Sequence, residues 1–119
     1  MVKKMLIGEL CKQADVTKDC IRHYESLGLI HSTPRLVGSR TYREYDEETL
    51  KRLELIKYGK SLLFTLREIK PLLDLFMSNQ LPKAQRRQRL KQKLSEVEDK
   101  IHDAQRVQQK LIEKIKALE

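Results

Sequence analysis

The chain has 119 residues, of which 25 are lysine or arginine and 17 are aspartate or glutamate, giving a net charge of +8 at pH 7. This length suits one small domain with at most an accessory element, and an aromatic content of 5% excludes a large single hydrophobic core. The positive charge favours a polyanionic partner, with nucleic acid ahead of an acidic membrane surface, over a basic protein that has no such partner.

Two short helices separated by a turn are predicted at the start of the chain. The first has an apolar face at the spacing i, i+3, i+4, i+7, formed by Ile7, Leu10, Cys11 and Ala14. Asp15 suits the turn because aspartate tolerates a left-handed backbone. Thr17 is a good N-cap for the second helix, and Gly28 is a good residue to end it. The apolar residues of this second helix are Ile21, Tyr24 and Leu27. The pattern is that of a helix–turn–helix.

A short β-hairpin is predicted next. Its strands are LIHS at 29–32 and RTYR at 40–43, and Pro34 and Gly38 belong to the loop between them. Because strands this short are stable only against helices, the hairpin is expected to form a wing on the helical domain.

Two further helices should complete this domain. Asp46 is predicted to cap a third helix with the apolar residues Leu50, Leu53 and Ile56. Thr65 and Glu68 match the T-x-x-E capping box of a fourth helix. The apolar face of that helix is Ile69, Leu72, Leu73 and Phe76. Pro71 lies inside the fourth helix and removes one backbone hydrogen bond, so a bend is expected there.

The sequence changes character at Leu81-Pro82. Residues 1–80 carry 14 basic and 11 acidic side chains, whereas residues 81–119 carry 11 and 6. We therefore expect two domains, 1–80 and 81–119.

The second domain is predicted to be one long helix with an apolar seam. The seam repeats at alternating spacings of three and four, the a/d pattern of a coiled coil over about four heptads. Its members are Leu90, Leu94, Val97, Ile101, Ala104, Gln108, Leu111, Ile115 and Leu118. Since almost every other position is charged or polar, the seam requires a partner helix, and a second copy of the chain is the simplest partner. The alternative is a single exposed helix that packs back on its own domain.

Three stretches resemble, in order and spacing, the MerR family of bacterial transcription regulators. IGELCKQADVTKDCIRHYESLGLI resembles the opening of the family, GSRTYREYD its wing, and KSLLFTLREI its R-x-L-G-F-S-L-x-E-I segment. The resemblance covers about residues 5–77, and the final helix matches the family's dimerisation helix in kind and position. It implies a mainly α fold, with a winged helix–turn–helix domain followed by an antiparallel coiled coil.

The resemblance also implies a function. Family members bind double-stranded promoter DNA as homodimers at a pseudo-palindromic element and distort the promoter spacer so that RNA polymerase can engage it. We therefore expect a sequence-specific DNA-binding transcription regulator that is not an enzyme and uses no cofactor. No nucleophile–base pair, phosphate loop or paired carboxylate occurs at a useful spacing. The alternative is an adaptor that holds a partner protein on its basic surface.

Candidate DNA contacts lie on the second helix, the wing and the third helix. They are Thr17, Lys18, Arg22, His23, Tyr24, Arg40, Tyr42, Arg43, Lys57 and Lys60. The start of a helix with Thr17 and Lys18 suits a major groove, whereas Arg22 and Tyr24, about one turn later, suit phosphates. Two alternatives stay open: Tyr24 as a core residue with its hydroxyl at the rim, and the two lysines of the third helix as a solvated face.

Four positions depart from the family pattern. His23 replaces the first tyrosine of the YYE motif, Ser39 replaces the aromatic residue before the wing arginine, and Cys11 stands where alanine is common. Leu63 replaces a glycine at the end of the third helix, so that turn must form without the residue best suited to positive φ. The changes at 23 and 39 affect individual DNA contacts.

The two cysteines, Cys11 and Cys20, are too few for a disulfide scaffold. No signal peptide or membrane span is recognisable, so a cytoplasmic protein with reduced thiols is expected. Cys11 should pack on the first helix, while Cys20, near the start of the second, has a redox role as an alternative to packing. Residues 80–119 contain no cysteine and one histidine, His102, which alone cannot form a closed metal site, so no metal is expected.

Overall fold

The computed structural model describes residues 4–119. They form a first compact unit that ends at Gln80 and a second unit, Leu81–Glu119. The elements of the first unit are β1 (Lys4–Leu6), α1 (Ile7–Ala14), α2 (Lys18–Ser26), β2 (Thr33–Val37), β3 (Arg40–Asp46), α3 (Glu47–Ser61) and α4 (Leu66–Met77). The second unit is one helix, α5 (Lys83–Ala117). The expected class, mainly helical with a small sheet and a long final helix, is confirmed. Within residues 4–119, no helix combines the length and the apolar character that crossing a membrane requires.

The helix–turn–helix forms as predicted. α1 ends at Asp15, whose backbone is left-handed with φ of 55° and whose N–H donates to the Cys11 carbonyl. The Val16 N–H donates to the same carbonyl at 3.2 Å. The Thr17 hydroxyl then accepts a hydrogen bond from the Cys20 N–H at 3.1 Å and caps α2. A left-handed aspartate and an N-cap threonine therefore set the turn between the two helices.

The first strand of the wing lies at a different position from the one predicted. The strand predicted at 29–32 is wrong, because these residues lie in the connection between α2 and β2. Leu29 and Ile30 are 0% exposed and belong to the core. The strand β2 instead runs through the predicted loop, with Pro34 as its second residue. Proline is tolerated there because β2 is an edge strand of a sheet with the order β1-β3-β2. A two-residue turn that begins with Gly38, at φ of 62°, joins β2 to β3, as in a type II′ hairpin.

The strand β1 was not predicted. It pairs antiparallel with the end of β3, and this register sets Met5 opposite Tyr45. These two residues are 2% and 1% exposed, so the pair closes one edge of the core. Three residues are too few to show the alternation that identifies a strand in a sequence.

The core of the first unit lies between its helices and the sheet. Its buried apolar residues are Met5, Leu10, Ala14, Ile21, Tyr24, Leu29, Ile30, Tyr45, Leu53, Ile56, Ile69 and Leu73. Arg52 joins α3 to α4 by donating two hydrogen bonds, of 3.1 and 2.7 Å, to one carboxylate oxygen of Asp74. Leu27, expected on the apolar face of α2, is 41% exposed and contributes little to this core.

The predicted caps of α3 and α4 are confirmed. The Asp46 carboxylate accepts from the Thr49 N–H at 3.0 Å at the start of α3. The capping box of α4 is complete, because Thr65 and Glu68 each accept a hydrogen bond from the other's backbone N–H. α4 continues through Pro71 as one helix.

Three helices end in the same motif with three different residues at its left-handed position. After α3, the Leu63 N–H donates to the Lys60 carbonyl and the Phe64 N–H donates to the Gly59 carbonyl, which is the Schellman arrangement. The left-handed residues are Gly28 after α2, Leu63 after α3 and Asn79 after α4, with φ of 77°, 68° and 56°. Glycine and asparagine adopt this conformation at low cost, whereas leucine does not.

Leu63→Gly is therefore expected to raise the free energy of unfolding by about 1 kcal/mol, because it removes the left-handed strain of a residue with a Cβ atom. The side chain of Leu63 is 53% exposed, so little packing is lost. Urea denaturation at a fixed protein concentration measures the change. Leu63→Ala keeps the Cβ atom and should gain nothing. A glycine variant no more stable than the alanine variant would show that the turn is not strained.

Candidate nucleic-acid interface

The N-terminal part of α2 is open to solvent. Thr17, Lys18, Arg22 and His23 are all exposed, and Lys18 is the first residue of the helix. The Thr17 hydroxyl already accepts a hydrogen bond from the Cys20 N–H, so it can make fewer hydrogen bonds to another molecule. Arg22 lies 3.4 Å from Asp19 in an ion pair whose side chains are 61% and 95% exposed. Such exposed pairs are weak and leave the arginine able to bind another anion.

Tyr24 belongs to the core of the first unit. It is 7% exposed, so the packing alternative for this residue is the one that the structure supports. Burial, together with a hydrogen bond to the Cys20 side chain, raises the pKa of Tyr24 to about 12. Cys20 is partly buried beside this hydroxyl, and Cys11 and Cys20 are both free thiols.

Glu25, on α2, bonds this helix to the wing. Its carboxylate accepts hydrogen bonds from the Ser32 hydroxyl at 2.8 Å, the Arg43 guanidinium at 2.9 Å and the Tyr45 hydroxyl at 2.7 Å. The Glu25 side chain is only 17% exposed, which strengthens these charge-assisted bonds. Burial, followed by the hydrogen bond to Glu25 and its negative charge, raises the pKa of Tyr45 to about 12. This network fixes the orientation of β3 relative to α2, a role for Glu25 that sequence analysis missed.

Tyr24 and Tyr45 are expected to ionise only as the domain unfolds. The pKa of each is raised from 10.0 to about 12, so their stabilising effect is complete below pH 10 and is lost as the pH rises through 12. Alkaline titration followed by tyrosinate absorbance should show two late-ionising groups, in step with the loss of helical circular dichroism. Tyr45→Phe should remove one of them. Ionisation of all the tyrosines while the helical signal stays intact would contradict this assignment.

The wing carries more cations than were predicted. Arg40, Tyr42 and Arg43 lie on β3 and are exposed, as a contact surface requires. Arg43 also serves the Glu25 network, so part of its guanidinium is already bonded. Arg35, on the facing strand, lies 3.1 Å from Glu44. It was missed because its stretch of sequence was assigned to a loop.

The two lysines predicted on α3 have different surroundings. The Lys57 ammonium donates a hydrogen bond of 3.0 Å to the carbonyl of Ala14, the last residue of α1. This bond satisfies a carbonyl at a helix C-terminus, where a cation is favoured, and it fastens α3 to the helix–turn–helix. Lys57 is therefore partly structural, which neither reading of the sequence anticipated, although it is exposed like Lys60 on the same helix.

α5 exposes a long apolar stripe. Six apolar members of the predicted seam are at least half exposed: Leu90, Leu94, Ile101, Leu111, Ile115 and Leu118. Val107 and Ile112 lie outside that seam and are 55% and 38% exposed. They follow the weak seam residues Ala104 and Gln108 by three and four positions, so they widen the stripe where the strict a/d pattern is poorest.

Among the side chains of residues 4–119, no group of three or more histidine, cysteine, aspartate or glutamate residues is arranged to hold a metal ion. A helix–turn–helix whose second helix exposes Lys18 and Arg22 and is bonded through Glu25 to a basic β-hairpin defines the class of winged helix–turn–helix DNA-binding proteins.

The family follows from comparison with known proteins. The profile of the MerR HTH family regulatory protein matches residues 5–75, and the profile described as MerR, DNA binding, matches residues 50–114. The chain belongs to the MerR family and is a DNA-binding transcription regulator.

Relatives of known role match most of the chain. The HTH-type transcriptional regulator ZntR homolog of Haemophilus influenzae is 37% identical over 109 residues, covering 92% of this chain and 79% of that protein. The mercuric resistance operon regulatory protein of Bacillus cereus is 34% identical over 110 residues, covering 92% and 82%. The crystal structure of the transcription regulator PbrR691 from Ralstonia metallidurans in complex with lead(II) matches with a TM-score of 0.79 at 32% identity, covering 92% of this chain and 83% of that one.

Proposed function

We propose that the chain acts in the cytoplasm as a homodimer that binds a pseudo-palindromic promoter element, with one winged domain on each half-site. In this arrangement residues 1–80 bind DNA and residues 81–119 join the two copies through an antiparallel coiled coil. The bound dimer distorts the promoter spacer and thereby controls access by RNA polymerase.

The exposed stripe of α5 carries the dimer proposal. Residues such as Leu111 and Ile115, each 58% exposed, lie on a helix of 35 residues whose other positions are mostly charged. Burying this stripe against a second copy removes apolar surface from water without requiring any other protein. Antiparallel pairing also separates the two basic N-terminal parts of α5, which carry six cations and no acid between Lys83 and Lys93.

The exposed start of α2 supports the DNA-binding arrangement. Lys18 begins the helix that enters a major groove, with Arg22 one turn behind it and Arg40 on the adjacent wing. Two such domains related by the two-fold axis of a dimer read an element with the same symmetry.

Selection of bound duplexes from a random pool, followed by sequencing, tests this function. We expect an enriched sequence with dyad symmetry, bound by two chains, with an affinity that falls linearly on a logarithmic salt scale. A duplex that keeps only one half-site serves as the control and should bind far more weakly. Absence of any enriched sequence, with binding to duplex DNA no stronger than to an unrelated polyanion, would favour the adaptor alternative.

A further inference from the structure

The face of α2 that carries Lys18 and Arg22 also carries a carboxylate. Glu25 follows Arg22 by three positions and Lys18 by seven, which is the spacing of one helix face. A negative charge on a face that meets DNA repels the phosphates. The DNA-binding roles proposed for the two cations do not explain why an acidic residue lies beside them.

Both oxygens of the Glu25 carboxylate are already bonded within the protein. Oε1 accepts from the Tyr45 hydroxyl, whereas Oε2 accepts from the Ser32 hydroxyl and the Arg43 guanidinium. The side chain is 17% exposed and has three donors in place, so it is badly placed to accept a hydrogen bond from a base such as cytosine. Glu25 therefore affects DNA binding through the residues that it holds.

The three donors differ in charge. Ser32 and Tyr45 donate through neutral hydroxyls, for which the oxygen of a side-chain amide would be a sufficient acceptor. Arg43 is cationic, so the negative charge of Glu25 acts chiefly on this residue. Because a charge in such an enclosed place is costly, its presence indicates a role in addition to orienting the wing.

Arg43 can pair with either of two anions. Its side chain is 61% exposed, but its guanidinium lies 2.9 Å from Glu25, so a DNA phosphate must compete with the carboxylate for it. Non-specific binding depends almost entirely on phosphate contacts, whereas specific binding also needs base contacts in a fixed geometry. A counterion within the protein therefore weakens the non-specific complex, while the attachment of the wing to α2 favours the specific one.

We propose that Glu25 is a specificity-determining residue of the DNA-binding unit. Its charge keeps Arg43 from the phosphates of random DNA, and its three hydrogen bonds hold the wing at the angle to α2 that the operator requires. The inference rests on the proposed function, because it needs an operator, here the duplex sequence that the wild-type protein selects. Such a residue improves the ratio of specific to non-specific affinity, which matters because non-specific sites vastly outnumber operators in a genome.

Salt titrations with the operator and with random duplex DNA test this inference. Glu25→Gln keeps the size of the side chain and an acceptor oxygen but removes the charge, so Arg43 is released to bind a phosphate. On random DNA the salt slope should steepen by about one unit, and the affinity at about 0.1 M salt should rise about fivefold to tenfold. The operator affinity should change less, because weaker attachment of the wing offsets the new phosphate contact.

Further variants separate the charge of Glu25 from its hydrogen bonds. Tyr45→Phe removes a neutral donor and keeps the ion pair, so it should lower the operator affinity severalfold and leave binding to random DNA unchanged. Arg43→Gln should leave the salt slope on random DNA unchanged, because Arg43 makes no phosphate contact there. Glu98→Gln, at an exposed position of α5, controls for the change in net charge and should behave as wild type.

The outcomes separate this inference from the proposed function. If Arg43→Gln lowers the salt slope on random DNA by about one unit, Arg43 already binds phosphates and the inference fails, whether or not Glu25→Gln folds. It also fails if folded Glu25→Gln keeps the wild-type slope, or if its only effect is lost preference for cytosine at one operator position. These results leave the proposed function intact. A wild-type protein that selects no duplex sequence overturns the proposed function and this inference with it.

Discussion

Replacing Leu94 and Ile101 together by lysine is expected to convert the proposed dimer into monomers. Both residues are more than half exposed on α5 and lie on the predicted seam. Each side chain is already about half covered, so its burial against a partner is worth about half of the 1.5–3 kcal/mol for a fully exposed one, and a dimer loses four such side chains in the double variant. The lysine charges add repulsion across the seam. Light scattering or sedimentation at micromolar concentration measures the change directly.

The matched control changes the charge of α5 without changing the seam. Asp99→Asn with Glu113→Gln adds the same two units of positive charge at exposed positions outside the stripe. That variant should remain dimeric, because exposed charges contribute little. A dimeric Leu94→Lys, Ile101→Lys variant would mean that the copies associate through another surface, and the seam assignment would be wrong.

Lys18→Ala is expected to reduce the affinity for the operator much more than the affinity for random duplex DNA. Lys18 is exposed at the first position of α2, the end of a recognition helix that reaches base edges. A good base contact in the major groove is worth about 1–3 kcal/mol of discrimination, so the specific affinity should fall by about tenfold or more. Titrations with both kinds of duplex at the same salt concentration measure the ratio.

Arg22→Ala is expected to weaken binding to both kinds of DNA together and to reduce the salt slope by about one unit, as loss of a phosphate contact does. Its ion pair with Asp19 is exposed, so removing the arginine should cost little stability. Lys51→Ala, at an exposed lysine of α3, controls for a general loss of charge. If Lys18→Ala and Arg22→Ala gave the same ratio of specific to nonspecific affinity, the division into base and phosphate contacts would fail, and DNA shape would carry the specificity.

The helix caps could be predicted because each is a contact between near neighbours in sequence. Thr17, Asp46 and Thr65 each accept a hydrogen bond from an N–H three residues later. A contact of this length depends on little besides the residue types present, so a single sequence is enough to recognise it. The positive φ of Leu63 was expected from the resemblance instead, because the family pattern has a glycine at that position.

The strands were placed less well because a strand is stabilised by its partner and not by its own residues. Leu29 and Ile30 were assigned to a strand, yet they lie in the connection between α2 and β2 and are buried in the core. Thr33–Val37 contains a proline and still forms β2, because the edge position spares it the hydrogen bond that proline cannot make. No local feature of the sequence shows that the segment at 29–30 is not a strand and that Thr33–Val37 is one.

Several roles of the candidate interface also depend on distant partners. Glu25 accepts from residues 7, 18 and 20 positions away in the sequence, and Lys57 bonds to a carbonyl 43 positions away. Such contacts exist only once the chain has folded, so no spacing in the sequence indicates them. The same is true of Tyr24, whose position in the core was one of two readings until its burial was known.

The sequence by itself determined the order of the helices, their caps, the apolar stripe of α5 and the resemblance to the MerR family, because these follow from residue types at short, regular spacings. Only the tertiary structure decided that Glu25 bonds the wing to α2, that Lys57 donates to the last carbonyl of α1 and that Leu36 is exposed at the wing tip. The physical reason is the separation along the sequence over which each kind of interaction acts. Helical periodicity and capping act over three or four residues, whereas burial and ion pairing depend on which segments the fold brings together.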